Sequence, residues 1–491
     1  MLPALFLVLA TQTALPQGLP SLERLRARSP RDSTPYARTL EESAGEGWEA
    51  RPDLSFALGS GPRTGAGVGV RMFTGTVGAP NPGTSTLTAA GPSGPATPRY
   101  YEVTIQPGTG FAERFLVQET TNVGPRPVLV VFHKYGVNHY DALLNTSFFA
   151  EARRRNWYCV APLSGGQTHF SDARSHIHTE SVLEWLRVRF PIDTSRVYGV
   201  GFSMGGGAAM NYAARQLDPT GLMIAAVFNQ SGILSHEDTY PQSAVQIQQI
   251  YDDRFGNGQP GSATPWNLQR GSVFSFDPQS LAVLPGVDLG RNLLHLATHT
   301  TRTTGDISYL ITQNDLFHQH LLGLGASPAR HVLTVVNYPG HSWDAVSEAS
   351  VCNWLRGHSL TLPTSADTLA DCNARYFHFQ IEQAIPGVFT PFTWSVQRSG
   401  NAVSITNTVN LSRVEVMLAD AGLSAISTLT VTTGCADGQA DEVALQGYAL
   451  PPLAVLRDGV PTNAWVHDGV LGRLTLHELD GSAPHVWTIQ P

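Results

Sequence analysis

Between Arg196 and Gly207 the chain reads Arg-Val-Tyr-Gly-Val-Gly-Phe-Ser-Met-Gly-Gly-Gly. A β-branched run ends in Gly-x-Ser-x-Gly, and a helical pattern follows at once with Ala208, Ala209, Met210, Tyr212, Ala213 and Ala214. Strand, sharp turn and helix in direct succession leave little choice of fold. The serine must adopt a strained backbone at the carboxyl end of a buried strand, and its small neighbours Gly201 and Gly205 supply the room. The five-residue pattern by itself is weak in a chain with 47 glycines. Its setting makes Ser203 a candidate nucleophile.

The surrounding pattern supplies the rest of a sheet. Tyr101–Ile105 and Glu113–Gln118 read as an antiparallel pair, and Val128–Phe132 as a strand buried on both faces. Phe148–Arg154 and His176–Phe190 read as helices and Trp157–Ala161 as a strand. Leu222–Phe228, Ile307–Thr312 and Val332–Tyr338 are further strand candidates, the last followed by a helix over Trp343–Leu355. Alternating strands and helices imply an α/β fold with a mostly parallel sheet covered on both faces. Residues 232–305 interrupt the alternation and read as an insertion and possible lid, with one helix near Ala244–Tyr251.

Beyond Cys372 the pattern changes to many short strands, from Phe377–Ile381 to Val486–Ile489, with turns such as Arg398-Ser399-Gly400-Asn401. This is the pattern of an all-β, sandwich-like domain. The expected organisation is a leader over 1–17, an irregular Pro/Gly-rich extension over 18–98, an α/β domain over 99–360, a linker over 361–375 and a β domain over 376–491. With 491 residues, two folded units are the natural expectation. Leu2–Ala10 is too short to span a bilayer and suits a secretory leader, so a secreted or periplasmic protein with no membrane span is expected. The net charge of −8 comes with no basic stripe, which argues against a nucleic-acid partner. Lys134 is the only lysine in the chain. Of the four cysteines, Cys352 and Cys372 flank the joint between the domains and are the preferred disulfide pair, while Cys159 and Cys435 are left open.

A serine nucleophile needs a base, and the base needs an acceptor to hold its tautomer. Asp315 follows Tyr309-Leu310-Ile311-Thr312, and His341 follows Leu333-Thr334-Val335-Val336 in a Pro339-Gly340 turn. Both therefore fall at carboxyl ends of expected strands, where parallel sheets place their chemistry. The expected triad is Ser203, Asp315 and His341. Asp306 is set aside because it precedes its expected strand, and Asp344 because it is too close to His341. The oxyanion donors are expected to be the Met204 amide, at the start of the elbow helix, and the Tyr135 amide in His133-Lys134-Tyr135-Gly136. His176-x-His178 and His318-x-His320 do not suit a metal on a helix, since residues two apart face nearly opposite ways. No metal and no cofactor are expected.

Residues from about Tyr101 to Gly357 resemble an α/β-hydrolase near the polyhydroxybutyrate-depolymerase-like and feruloyl or acetylxylan esterase group. The resemblance is carried by Phe190-Pro191-Ile192-Asp193-Thr194-Ser195-Arg196-Val197-Tyr198 leading into the elbow. It implies serine-dependent hydrolysis of carboxylic esters through an acyl-enzyme, with the ester links of polysaccharides or polyesters as expected substrates and Asp193 and Arg196 structural. Lys134 departs from the glycine that such proteins carry after the histidine. A peptidase of the prolyl-oligopeptidase type shares the elbow, but the N-terminal stretch is too short for its propeller. A glycan- or surface-binding protein with a decayed hydrolase core is the non-enzymatic alternative.

Overall fold

The computed structural model describes residues 69–76, 99–107, 109, 111–120, 124–438, 441–477 and 483–491. The expected leader and most of the 18–98 extension lie outside the described residues. The chain divides into two units. The first comprises Met1–Ala213, Ile224–Val273 and Leu296–Leu360, and the second Ala214–Met223, Phe274–His295 and Thr361–Pro491.

The first unit is built on a nine-stranded sheet. Its strands are β1 (Gly69–Thr76), β2 (Arg99–Gln106), β3 (Glu113–Gln118), β4 (Arg126–Phe132), β5 (Tyr158–Pro162), β6 (Ile192–Phe202), β7 (Ala226–Gln230), β8 (Ala297–Thr303) and β9 (His331–Val336). Their order across the sheet is β1-β2-β3-β5-β4-β6-β7-β8-β9, and only β3 runs against the others. Val128, Leu129, Val130 and Val131 are fully buried, as a central strand covered on both faces requires. The elements that bear on the site are α1 (Phe148–Arg154), α2 (Ala173–Arg189), α3 (Met204–Arg215), α4 (Val245–Phe255), α5 (Ser308–Gly323) and α6 (Glu348–Leu355). One face of the sheet is filled by Leu129, Val131, Tyr198, Val200, Phe202 and Phe228 with Phe148 and Phe149 of α1 and Val351, Cys352 and Leu355 of α6.

Expectations for the first unit need correction at three places. Within the stretch expected to be irregular, Gly69–Thr76 pairs in parallel with β2 along eight residues. Ile307–Thr312 is not a strand but lies at the start of α5, which runs on to Gly323. Tyr309, Leu310, Gln313, Asn314, Phe317 and Leu321 are its buried residues, spaced as one face of a helix. The strand at this place is β8, Ala-Thr-His-Thr-Thr-Arg-Thr, which belongs to the sheet and so cuts the 232–305 insertion short. Its threonines are β-branched and fit a pleated strand although they give no apolar run.

The second unit holds two sheets. One runs, edge to edge, through Ser365–Ala370, Thr390–Gln397, Ala402–Thr408, Leu429–Cys435, His485–Gln490, Ala454–Arg457 and Val460–Pro461. The other runs through Arg375–Tyr376, Phe379–Gln383, Leu411–Met417, Glu442–Gln446, Arg473–His477 and Trp465–Asp468. Ser365–Ala370 falls in the expected linker and is instead a strand paired with Thr390–Gln397. Rings from both sheets meet: Phe379 lies 5.0 Å from Trp394 and 6.1 Å from Phe392. Two upstream segments are tied in. The Asn292 side chain donates to the Leu369 carbonyl at 2.9 Å and accepts from its amide at 2.9 Å, and Arg215 pairs with Asp371 at 2.8 Å.

The expected Cys352–Cys372 disulfide is not formed. Cys352 is a thiol in the core of the first unit, where burial pushes it up to about 12. Cys372 Sγ lies near the Asp371 carboxylate and the Tyr376 hydroxyl.

Candidate active site

Ser203 sits between β6 and α3 with φ at 58°, inside the left-handed region that a residue with a side chain rarely adopts. The backbone holds it there. Its amide donates to the Gln230 carbonyl at 2.9 Å, and its carbonyl accepts from Gly206 at 2.9 Å and Gly207 at 3.2 Å. The flanking glycines are required by close approach. A Cβ on Gly201 would stand 1.9 Å from the Gly205 carbonyl oxygen, and one on Gly205 would stand 2.3 Å from the Phe132 carbonyl oxygen. That second contact also brings the end of β4 against the first turn of α3.

His341 is held by the loop after β9. The Thr303 hydroxyl donates to the Gly340 carbonyl at 2.9 Å, and the Gly305 amide to the Tyr338 carbonyl at 3.0 Å. The Phe202 and His341 rings are 4.2 Å apart, with Trp343 5.3 Å from Phe202. The imidazole therefore lies against the residue immediately before Ser203. Its Nδ1 donates to Asp306 Oδ1 at 2.7 Å. Its Nε2 is buried and hydrogen-bonds neither Ser203 nor any other described residue. With Nδ1 carrying the proton, Nε2 presents a free lone pair.

Asp306, set aside from the sequence, is the acceptor, and Asp315 is not. Because the strand is β8, Asp306 follows it and so lies at the carboxyl end. Asp315 lies along α5, where both of its oxygens accept from Arg302 at 2.7 Å. Burial alone would raise the Asp306 carboxyl, but the His341 hydrogen bond and charge, the Ser231 hydroxyl and the Ile307 amide outweigh it and hold it below the usual carboxylate range. Its side chain is fully buried, and Ser231, itself left-handed at φ 50°, donates to its second oxygen.

The two expected oxyanion donors lie on adjoining segments. Met204 is the first residue of α3, where amides have no partner within the helix. Ahead of Tyr135, the Lys134 carbonyl is 2.8 Å from His133 Nδ1. His133 is buried, which lowers its pKa against the pull of the Lys134 and Leu163 carbonyls, so the ring is neutral and donates one proton. The shorter approach is to Lys134. In a trans peptide the N–H points opposite to the C=O, so the Tyr135 amide faces away from His133. Tyr135, Phe170, Met204, Ile233 and Tyr309 form an apolar cluster with Ile247, Tyr251 and Phe255 of α4. Of the two histidine pairs, His176 packs on Tyr212 and His178 bridges Thr109 and Glu113.

The strand order with one reversed strand, the elbow and the acid–histidine pair at the carboxyl end together define an α/β-hydrolase fold. Among solved structures, a ferulic acid esterase aligns at 18% identity over 52% of this chain and 96% of its own, with a TM-score of 0.38. The Staphylococcus aureus fluorophosphonate-binding serine hydrolase F aligns at 15% identity over 53% and 99%, with a TM-score of 0.40. The Pyrococcus horikoshii acylaminoacyl peptidase aligns at 15% over 53% and 40%, with a TM-score of 0.38. No family model and no curated protein matches the sequence.

Proposed function

We propose that the first unit is a serine-dependent carboxylic-ester hydrolase with Ser203 as nucleophile, His341 as general base and Asp306 as the acceptor that fixes its tautomer. The observation that supports this most is the Asp306–His341 pair, whose imidazole packs on Phe202, the residue before the elbow serine, and whose Nε2 has no hydrogen-bond partner among the described residues. His341 takes the proton as Ser203 Oγ attacks the ester carbonyl, and the Met204 and Tyr135 amides hold the oxyanion. The imidazolium then protonates the leaving alcohol, and water releases the acyl group by the reverse steps. The reading requires Ser203 and His341 to close a hydrogen bond that the structure does not show; catalytic hydrogen bonds often tighten only around the substrate. Residues 236–271 are read as a cover over the acyl side, because α4 packs on the cluster containing Met204. We also read the protein as secreted, its esters as polysaccharide-linked or polymeric, and the second unit as a sandwich-like accessory module.

Hydrolysis of para-nitrophenyl acetate and butyrate by wild type and Ser203→Ala tests the assignment. Turnover by the wild type and its loss in the variant are expected. Equal rates would remove the enzymatic reading, and hydrolysis confined to peptide anilides would favour a peptidase.

A further inference from the structure

We propose that Lys134 selects substrates carrying a carboxylate within a few bonds of the scissile carbonyl, on the acid or the alcohol side. This rests on the ester-cleaving site just described and names its substrate class. Lys134 is the only lysine among 31 basic residues. It occupies the residue directly before the Tyr135 amide, on the segment whose backbone abuts Gly205 of the elbow helix. Its carbonyl faces His133, so the loop's geometry is set by the backbone and does not need a lysine side chain.

The half-buried Lys134 side chain makes no ion pair or hydrogen bond with any described residue. Several half-buried guanidinium groups are matched within the chain: Arg302 with Asp315, Arg254 with Asp172, and Arg155 with Glu151. An ammonium with no countercharge in the protein is open to an anion that a ligand brings. The stem of a lysine reaches roughly 6 Å from its Cα, and the ammonium is a mobile point charge without the planar fork of arginine. One residue from the Tyr135 donor, it can reach the flanks of a bound ester. A carboxylate there forms the missing pair, and a neutral group leaves the ammonium unmatched.

The test compares kcat/KM for two charge-only pairs. Para-nitrophenyl hydrogen adipate against para-nitrophenyl methyl adipate places the charge on the acid side. Para-acetoxybenzoate against its methyl ester places it on the leaving group. Wild type is expected to favour the charged member of one pair by about tenfold or more, a preference that shrinks with added salt. Whichever pair responds identifies the side. Lys134→Met should reduce that ratio at least about tenfold, and Lys134→Arg should keep most of it. A wild-type ratio near one in both pairs, or a ratio unchanged in Lys134→Met, overturns the lysine's role while leaving Ser203-dependent turnover intact. A Lys134→Met that slows both members equally also overturns it, because the ammonium would then serve the oxyanion. Turnover indifferent to Ser203→Ala overturns the site and the proposal together.

Discussion

At the scale of residues, the choice between two aspartates is the sharpest consequence of the structure. Asp306 accepts from His341 at 2.7 Å inside a buried pair, while Asp315 is spent on Arg302. Asp306→Asn should reverse the tautomer that the site needs and lower kcat on the order of a thousandfold or more. Asp315→Asn should leave kcat within a few-fold and cost about 1 kcal/mol of stability at most, since that pair is partly exposed. Steady-state kinetics of the two variants beside thermal melts would separate the roles. A reversed order would restore Asp315. The Asp306 carboxyl is held below its ordinary value, so its stabilising contribution is complete above the unfolded value of about 3.9 and is lost as pH falls through the folded one.

At the scale of elements, two segments make separate predictions. Gly201→Ala would drive a methyl into the Gly205 carbonyl, and β6 and α3 cannot part without losing the turn. Loss of soluble protein, or a fall in stability of about 3 kcal/mol or more on denaturant titration, is expected. The second concerns His236, whose Nδ1 lies 2.8 Å from the Tyr251 hydroxyl of α4. Burial holds this ring down to about 3, against the pull of the nearby Phe170 and Gly271 backbone. The unfolded chain protonates near pH 6.5 and the folded one does not until about 3, so stability contributed by the neutral ring falls as pH drops through that window. His236→Gln should flatten the acid limb of a melting-temperature profile between pH 6 and 4, roughly the window those two values bound. An unchanged slope would mean that other buried histidines, such as His169, dominate. Elements were also where the sequence misled. Ile307–Thr312 is a short apolar run that suits strand or helix equally, and only its continuation to Phe317 and Leu321 decides for a helix. The threonine-rich β8 gives the opposite error, a buried strand without an apolar signal.

At the scale of the whole molecule, the second unit is assembled from three stretches of chain. A boundary drawn at the end of the α/β pattern therefore cuts through it. A chain ending at residue 360 would lose Asp371 from Arg215, Leu369 from Asn292, and the Phe377 amide that donates to the Leu217 carbonyl at 2.8 Å. Arg215 and Asp371 are both 2% exposed, and removing one partner of such a pair costs about 3–5 kcal/mol. The shortened chain is expected to be insoluble or to melt well below the full one. A shortened chain with full ester turnover and an unchanged melting temperature would show that the upstream segments need no partner from beyond residue 360.

The sequence alone determined what local sterics and periodicity can encode. The elbow needs its glycines, the central strands need unbroken apolar runs, and the Pro-Gly turn presents His341. These constraints act within a few residues, so they are legible without the fold. The acid partner was decided by the tertiary structure, because which aspartate meets the imidazole depends on where β8 ends and α5 begins. That boundary is set by packing against β7 and β9, contacts between residues far apart in the chain. The matching of Arg215 and Asn292 to strands beyond residue 360 has the same origin: burial forces distant polar groups to find one another, and no local pattern names the partner.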